Sequence, residues 1–205
     1  MTTLAVAPTR RRRPPLVVEP QGPVVSNARL AAALIIAGES MLFAGLVGMY
    51  LVFRLSTETW PPPELPRLPV LVTALNSIVL FASVVPMHRA LQAVRRGRLV
   101  VATRLAGLTG LLGLLFLAVQ GFEWVRLVRH GLTLQKGQYG GAFYVLIGCH
   151  ALHVLVAVLW VAAVTVLAER RRFSAERHDG FEMCTIFWYF VAALWAGLFP
   201  LVYLY

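Results

Sequence analysis

Six side chains between Gln120 and Glu182 could carry protons, ligate a metal or build a hydrogen-bond network: Gln120, Glu123, His150, His153, His178 and Glu182. All lie in or beside stretches otherwise apolar enough for lipid. Glu39 stands apart, in the run Gly38-Glu39-Ser40-Met41-Leu42-Phe43-Ala44-Gly45. A charged side chain at the centre of a membrane helix costs roughly 3 kcal/mol on insertion scales, so each of these groups needs a compensating partner. Gln120 and Glu123 are three residues apart and share a helix face, beside Trp124. His150 and His153 repeat that spacing, so both can turn inward. As haem ligands they are poorly placed, because axial ligands approach one iron from opposite sides. The repeated Glu-x-x-His pairs of a di-iron bundle are absent. The pair reads instead as hydrogen-bonded to a carboxyl such as Glu123 or Glu182. In His178-Asp179-Gly180-Phe181-Glu182, helix-start electrostatics account for Asp179. Glu182 lies deeper and precedes a long uncharged stretch. Glu39 has no base within a helical turn and is expected to be neutral unless another helix supplies a donor.

The elements that position these groups follow from composition. A chain of 205 residues with 59% hydrophobic and 14% charged residues and a mean hydropathy of +0.72 is too apolar for an ordinary soluble domain. Five runs reach the roughly 20 residues that span a bilayer core: Ala28 to Phe53, Val70 to Leu91, Val100 to Val125, Gly141 to Leu167 and Phe181 to Tyr203. They are continuously apolar rather than alternating, which excludes a barrel. The fold class is therefore all-α: a polytopic membrane protein with a five-transmembrane-helix bundle. Connections of about 10 to 16 residues leave no room for a soluble domain, and no internal repeat of the transporter kind is present. Residues 28–205 are read as the membrane domain, and residues 1–27 as a mobile cytoplasmic tail.

Charge sets the orientation. Arg10 to Arg13 and Arg29, then Arg89, Arg95, Arg96, Arg98 and Arg104, then Arg170 to Arg172 and Arg177 fall on one side. Arg54, Arg67, Arg126, Arg129 and Lys136 fall on the other. The division is 14 to 5 of the 19 Lys and Arg, which predicts a cytoplasmic N-terminus and an outside C-terminus. The net charge of +10 is thus mostly topology, with attraction to anionic lipid as a further effect and no nucleic-acid partner implied. The first 25 or so residues lack the apolar core and cleavage site of a signal peptide. Cys149 and Cys184 lie within apolar runs and form no disulfide or metal spacing. Trp188, Tyr189, Trp195, Tyr203 and Tyr205 read as packing and interface aromatics. Gly38, Gly45, Gly48, Gly107, Gly110 and Gly113 are spaced for close helix contact.

Taken in order, the motifs resemble subunit III of the haem-copper terminal oxidases in its short five-helix bacterial form. Glu39 with Leu42-Phe43 and Tyr50 is similar to that family's first signature. Trp60-Pro61-Pro62-Pro63, Leu68-Pro69, Leu75-Asn76-Ser77 and Ser83 resemble the next loop and helix. Gln120-x-x-Glu123-Trp124, then Tyr139-Gly140, Phe143-Tyr144, Gly148 and His150-Ala151-Leu152-His153-Val154, match in sequence. His178-x-Gly180-Phe181-Glu182 and Trp188-x-Phe190-Val191 with Trp195 resemble the closing helix. Three positions depart: the family's closing Trp-His-Phe-Val-Asp is here Trp188-Tyr189-Phe190-Val191-Ala192, which removes two polar groups, and Gly38 replaces the usual Ser.

The resemblance implies a non-catalytic accessory role. Haem and copper are expected on partner subunits, with no cofactor on this chain. The expected partners are oxidase subunits I and II and membrane phospholipid, in the bacterial plasma membrane. Family members bind lipid in a cleft between their first two helices and the rest, and help sustain proton uptake. By carry-over Glu39 would be the lipid-cleft carboxyl, and Gln120, Glu123, His150, His153, His178 and Glu182 a mutually hydrogen-bonded buried network. The sequence agrees independently: it has too few histidines on opposing helices for two haems and a copper, and no Cys/His cluster for a dinuclear copper site. The branch stays open between a cytochrome c oxidase, a quinol oxidase and a nitric oxide reductase accessory protein. A stand-alone proton-coupled transporter and a membrane haem protein using His150 or His153 are the alternatives.

Overall fold

The computed structural model describes residues 27–63 and 65–204, so Arg10 to Arg13 and nearly all of the expected tail lie outside the described residues. Five helices follow in order: α1 (Asn27–Leu55), α2 (Val70–Arg95), α3 (Leu99–Arg129), α4 (Gly137–Glu169) and α5 (Asp179–Phe199), which continues into a π-helical turn at Pro200–Leu204. Each is long and apolar enough to cross a membrane. The all-α, five-span expectation holds.

The connections are mostly shorter than the apolar runs suggested. Hydropathy marks where lipid ends, whereas the helices keep their hydrogen bonds into the polar interface. The α2–α3 link is only Arg96, Gly97 and Arg98. It closes as a left-handed cap: Gly97, at φ +70°, donates to the Val94 carbonyl at 2.9 Å, and Arg98 donates to that of Ala93 at 2.8 Å. The same pattern ends α4, but with Arg171 at φ 52° in the position that glycine favours.

Helices α2, α3, α4 and α5 form a ring in which α2 packs on α3 and α5, and α4 on α3 and α5; α1 lies outside it against α4 and α5. The ring is filled by large side chains including Trp188, Trp195, Phe116, Phe143, Leu80 and Met87, all buried. Lipid tails are as apolar as these side chains, so burial drives helix association less than close packing and interhelical hydrogen bonds do. Trp188 Nε1 donates to Ser83 Oγ at 3.1 Å and Trp195 Nε1 to Ser77 Oγ at 2.8 Å, tying α5 to α2. Asn76 Nδ2 donates to the Phe116 carbonyl at 3.0 Å, tying α2 to α3.

The glycine spacing is less uniform in its use than the sequence suggested. A Cβ added at Gly38, Gly45, Gly48 or Gly107 would meet nothing within 4 Å, whereas one at Gly113 would lie 2.6 Å from Trp188 Cη2 and 2.7 Å from Val158 Cγ2. Only Gly113 therefore sets the approach of α3 to α4 and α5. Gly113→Leu is expected to overpack this seam, at a cost on the order of 1–3 kcal/mol, while Gly107→Leu should be nearly neutral. Thermal unfolding of the detergent-solubilised variants checks this, and an equal loss for both would contradict it.

Candidate functional site

Near the middle of their lengths, α1 and α4 meet through one acid and one base. Glu39 lies 12 residues into α1, and His153 lies midway along α4. His153 Nδ1 is 2.7 Å from the Cys149 carbonyl, one turn back on its own helix. A carbonyl can only accept, so Nδ1 carries the hydrogen. His153 Nε2 is 2.8 Å from Glu39 Oε2. One proton therefore lies in that contact, on either the ring or the carboxyl, and the pair as a whole is neutral. A net charge that would be costly in lipid is avoided without losing the acid or the base. Phe43 packs edge-on to the imidazole, with ring centroids 5.1 Å apart. The pair is shielded incompletely, since 14% of the His153 and 29% of the Glu39 side chain remain exposed.

His150 behaves differently. It is buried, lies 4.9 Å from Trp195 in a stacked arrangement at 19°, and neither ring nitrogen has a hydrogen-bond partner. The two histidines were expected to pair with Glu123 or Glu182; in the structure neither does. Three residues of helix turn side chains apart by about 60°, and α4 lies between different neighbours on its two sides. His153 therefore faces α1 while His150 faces the ring interior.

The remaining groups separate as well. Glu123 is bound by Arg126 Nη1 at 2.9 Å on its own helix. Gln120 Nε2 donates to Tyr203 Oη at 3.0 Å, linking α3 to the turn after α5. Glu182 Oε1 accepts from Arg29 Nε at 2.9 Å and Arg95 Nη2 at 3.1 Å, while His178 Nε2 stands 3.9 Å from its other oxygen. The expected single network is thus replaced, among the described residues, by separate clusters near the two helix ends and at mid-depth. Sequence reasoning missed Arg29, Arg95 and Tyr203, because each approaches from a helix distant in sequence. The sole available signal was the positions of Arg29 and Arg95 at helix ends on the side where Glu182 begins α5.

The placement of Glu39 also departs from a cleft between the first two helices and the rest. α1 and α2 do not form a separate pair: α1 packs on α4 and α5, and α2 on α3 and α5. Glu39 sits on the α1–α4 seam. Among the described residues no group of three His, Cys, Asp or Glu comes together as a metal site.

The shared proton makes a specific demand. Glu39→Gln can still donate N–H to His153 Nε2, so it should cost well under 1 kcal/mol. His153→Phe leaves the carboxyl without its partner and should cost about 1–3 kcal/mol. Thermal unfolding of both variants in the same detergent tests the ordering; equal losses would show that the contact does not hold α1 to α4.

A profile of the family described as Cytochrome c oxidase subunit III matches residues 20–205. The protein named cytochrome c oxidase subunit 3 in Synechocystis sp. is 36% identical over 172 residues, covering 83% of this chain and 72% of that protein. Its counterpart in Corynebacterium diphtheriae is 33% identical over 168 residues, covering 80% and 82% respectively. That of Cyprinus carpio is 32% identical over 187 residues, covering 88% and 70%. With the similarity running through all five spans and the motifs around Glu39, His153 and Glu182, this chain belongs to the cytochrome c oxidase subunit III family.

Proposed function

We propose that this chain is a non-catalytic accessory subunit of a haem-copper terminal oxidase of the cytochrome c oxidase branch, acting in aerobic electron transport. The observation that carries this reading is the family match over residues 20–205, which spans every membrane helix. In this reading haem and copper reside on partner subunits I and II, while this chain stabilises subunit I, binds phospholipid and supports proton uptake during oxygen reduction. The side-chain geometry supports a role without a redox centre here: His153 is committed to Glu39, and His150 is stacked flat on Trp195. The two imidazoles do not converge on a common point. Residues 28–205 act as the membrane domain in the bacterial plasma membrane, and residues 1–27 as a cytoplasmic tail. The 14-to-5 division of Lys and Arg supports the cytoplasmic N-terminus. The names of the relatives favour the cytochrome c oxidase branch over the quinol oxidase and nitric oxide reductase branches.

Gentle detergent purification through an N-terminal tag, with a reduced-minus-oxidised spectrum, tests the assignment. The expected result is a haem-bearing preparation whose haem leaves together with the partner chains on harsher washing. A lone colourless chain under gentle conditions, or haem that stays with this chain after its partners are removed, would overturn it.

A further inference from the structure

At one end of the bundle a hollow of about 150 Å³ opens between α3 and the chain entering α2, with Arg67, Glu123, Arg126 and His130 among its walls. That is several times the ~30 Å³ share of a water molecule, room for a group the size of a phosphate. Glu123 is buried, and both of its oxygens face one nitrogen, Arg126 Nη1, at 2.9 and 3.3 Å. This contact fixes the guanidinium and leaves its Nε–Nη2 edge without a hydrogen bond to any described residue. Such an edge is a two-pronged donor suited to an oxyanion, and 52% of the Arg126 side chain is exposed. Arg67 is exposed and makes no hydrogen bond or ion pair with a described residue. His130 Nδ1 is 2.7 Å from the Arg126 carbonyl and donates to it, so the neutral ring turns only an acceptor to its surroundings. Two arginines against one carboxylate leave one positive charge in excess.

The depth is that of a headgroup. Between Arg104 and Arg126 the only charged residue of α3 is Glu123. This stretch rises about 33 Å, close to the ~30 Å of the hydrocarbon core, so Arg126 stands where hydrocarbon gives way to headgroups. One turn and three turns back along α3, on the side of Arg126, are Phe122 and Leu115, 64% and 48% exposed. An excess of positive charge at the end of an apolar stripe matches a phospholipid in both of its parts.

We propose that this hollow seats the phosphate of a phospholipid from the leaflet at that end. Arg67 and the Nε–Nη2 edge of Arg126 are the donors, Glu123 is the residue that positions Arg126, and an acyl chain lies along Phe122 and Leu115. This rests on the phospholipid-binding part of the reading above and gives that binding a place apart from Glu39. A phosphodiester has one negative charge, which cancels the excess. A free phosphate would cancel it too, but would leave the apolar stripe unused.

The test uses the gently purified complex, stripped of weakly held lipid and titrated in detergent with dioleoylphosphatidylglycerol. Native mass spectrometry counts the lipid that stays on this chain when it is ejected. Arg67→Gln, which breaks no contact with a described residue, should weaken the tightest binding step about fivefold. Arg126→Lys keeps a cation for Glu123 but loses the two-pronged edge, and should weaken that step about as much. Arg129→Gln, exposed at the same end but outside the hollow, should leave it unchanged. Dioleoylglycerol, which has the same chains and no phosphate, should not bind at this step, and inorganic phosphate should not displace the lipid. Equal affinity in the wild type, Arg67→Gln and Arg126→Lys would overturn the proposal and leave phospholipid binding elsewhere on the chain. An equal loss for Arg129→Gln, the mark of diffuse surface charge, would also overturn it, as would equal binding of dioleoylglycerol or displacement by inorganic phosphate. A wild-type chain that retains no phospholipid would remove both the site and the phospholipid-binding reading.

Discussion

Hydrocarbon offers neither donors nor acceptors, so a polar group carried into it can find a hydrogen-bond partner only in another part of the protein. That requirement organises this molecule more than apolar burial does, because lipid accepts exposed leucines and valines without cost. The consequence is visible in the cross-helix ties. α5 is pinned to α2 through two tryptophan–serine bonds, α2 to α3 through Asn76, and α3 to the turn beyond α5 through Gln120. Each of the ring's polar contacts therefore doubles as a packing instruction. Removing one would release a helix contact and at the same time strand a polar atom.

α1 shows the principle most clearly. It buries only Ala32, Phe43 and Tyr50, and presents much of its surface, including Leu34, Met41 and Val52, outward. Little apolar packing holds it. It is fastened at three depths instead: by Arg29 on Glu182 at one end, by Glu39 on His153 in the middle, and by Tyr50 against Trp60 at the other end. These contacts differ in kind as their surroundings do. The ion pair lies where water and headgroups screen charge, the mid-depth pair shares one proton and carries no net charge, and the outer contact is aromatic.

This arrangement fits an accessory subunit. Glu39, His153 and Glu182, which looked able to carry chemistry, are spent on holding helices together, and the least buried helix is joined to the ring by polar contacts.

Much of this was legible in the sequence. Five long apolar runs determine five helices, because backbone hydrogen bonds must close within each segment in lipid. Their order and the motifs around Glu39, His150 and Glu182 were enough to suggest the family. Residue spacing could not decide which neighbour each polar group would meet. His150 and His153 share an i, i+3 spacing, yet one stacks on Trp195 and the other bonds Glu39, because α4 passes between α5 and α1. Glu182 needed Arg29 from 153 residues away, and Tyr189 needed His88 from 101 residues away. Periodicity along one helix places a side chain on a face. Which helix lies across from that face is settled by how all five pack, and that was decided only in the tertiary structure.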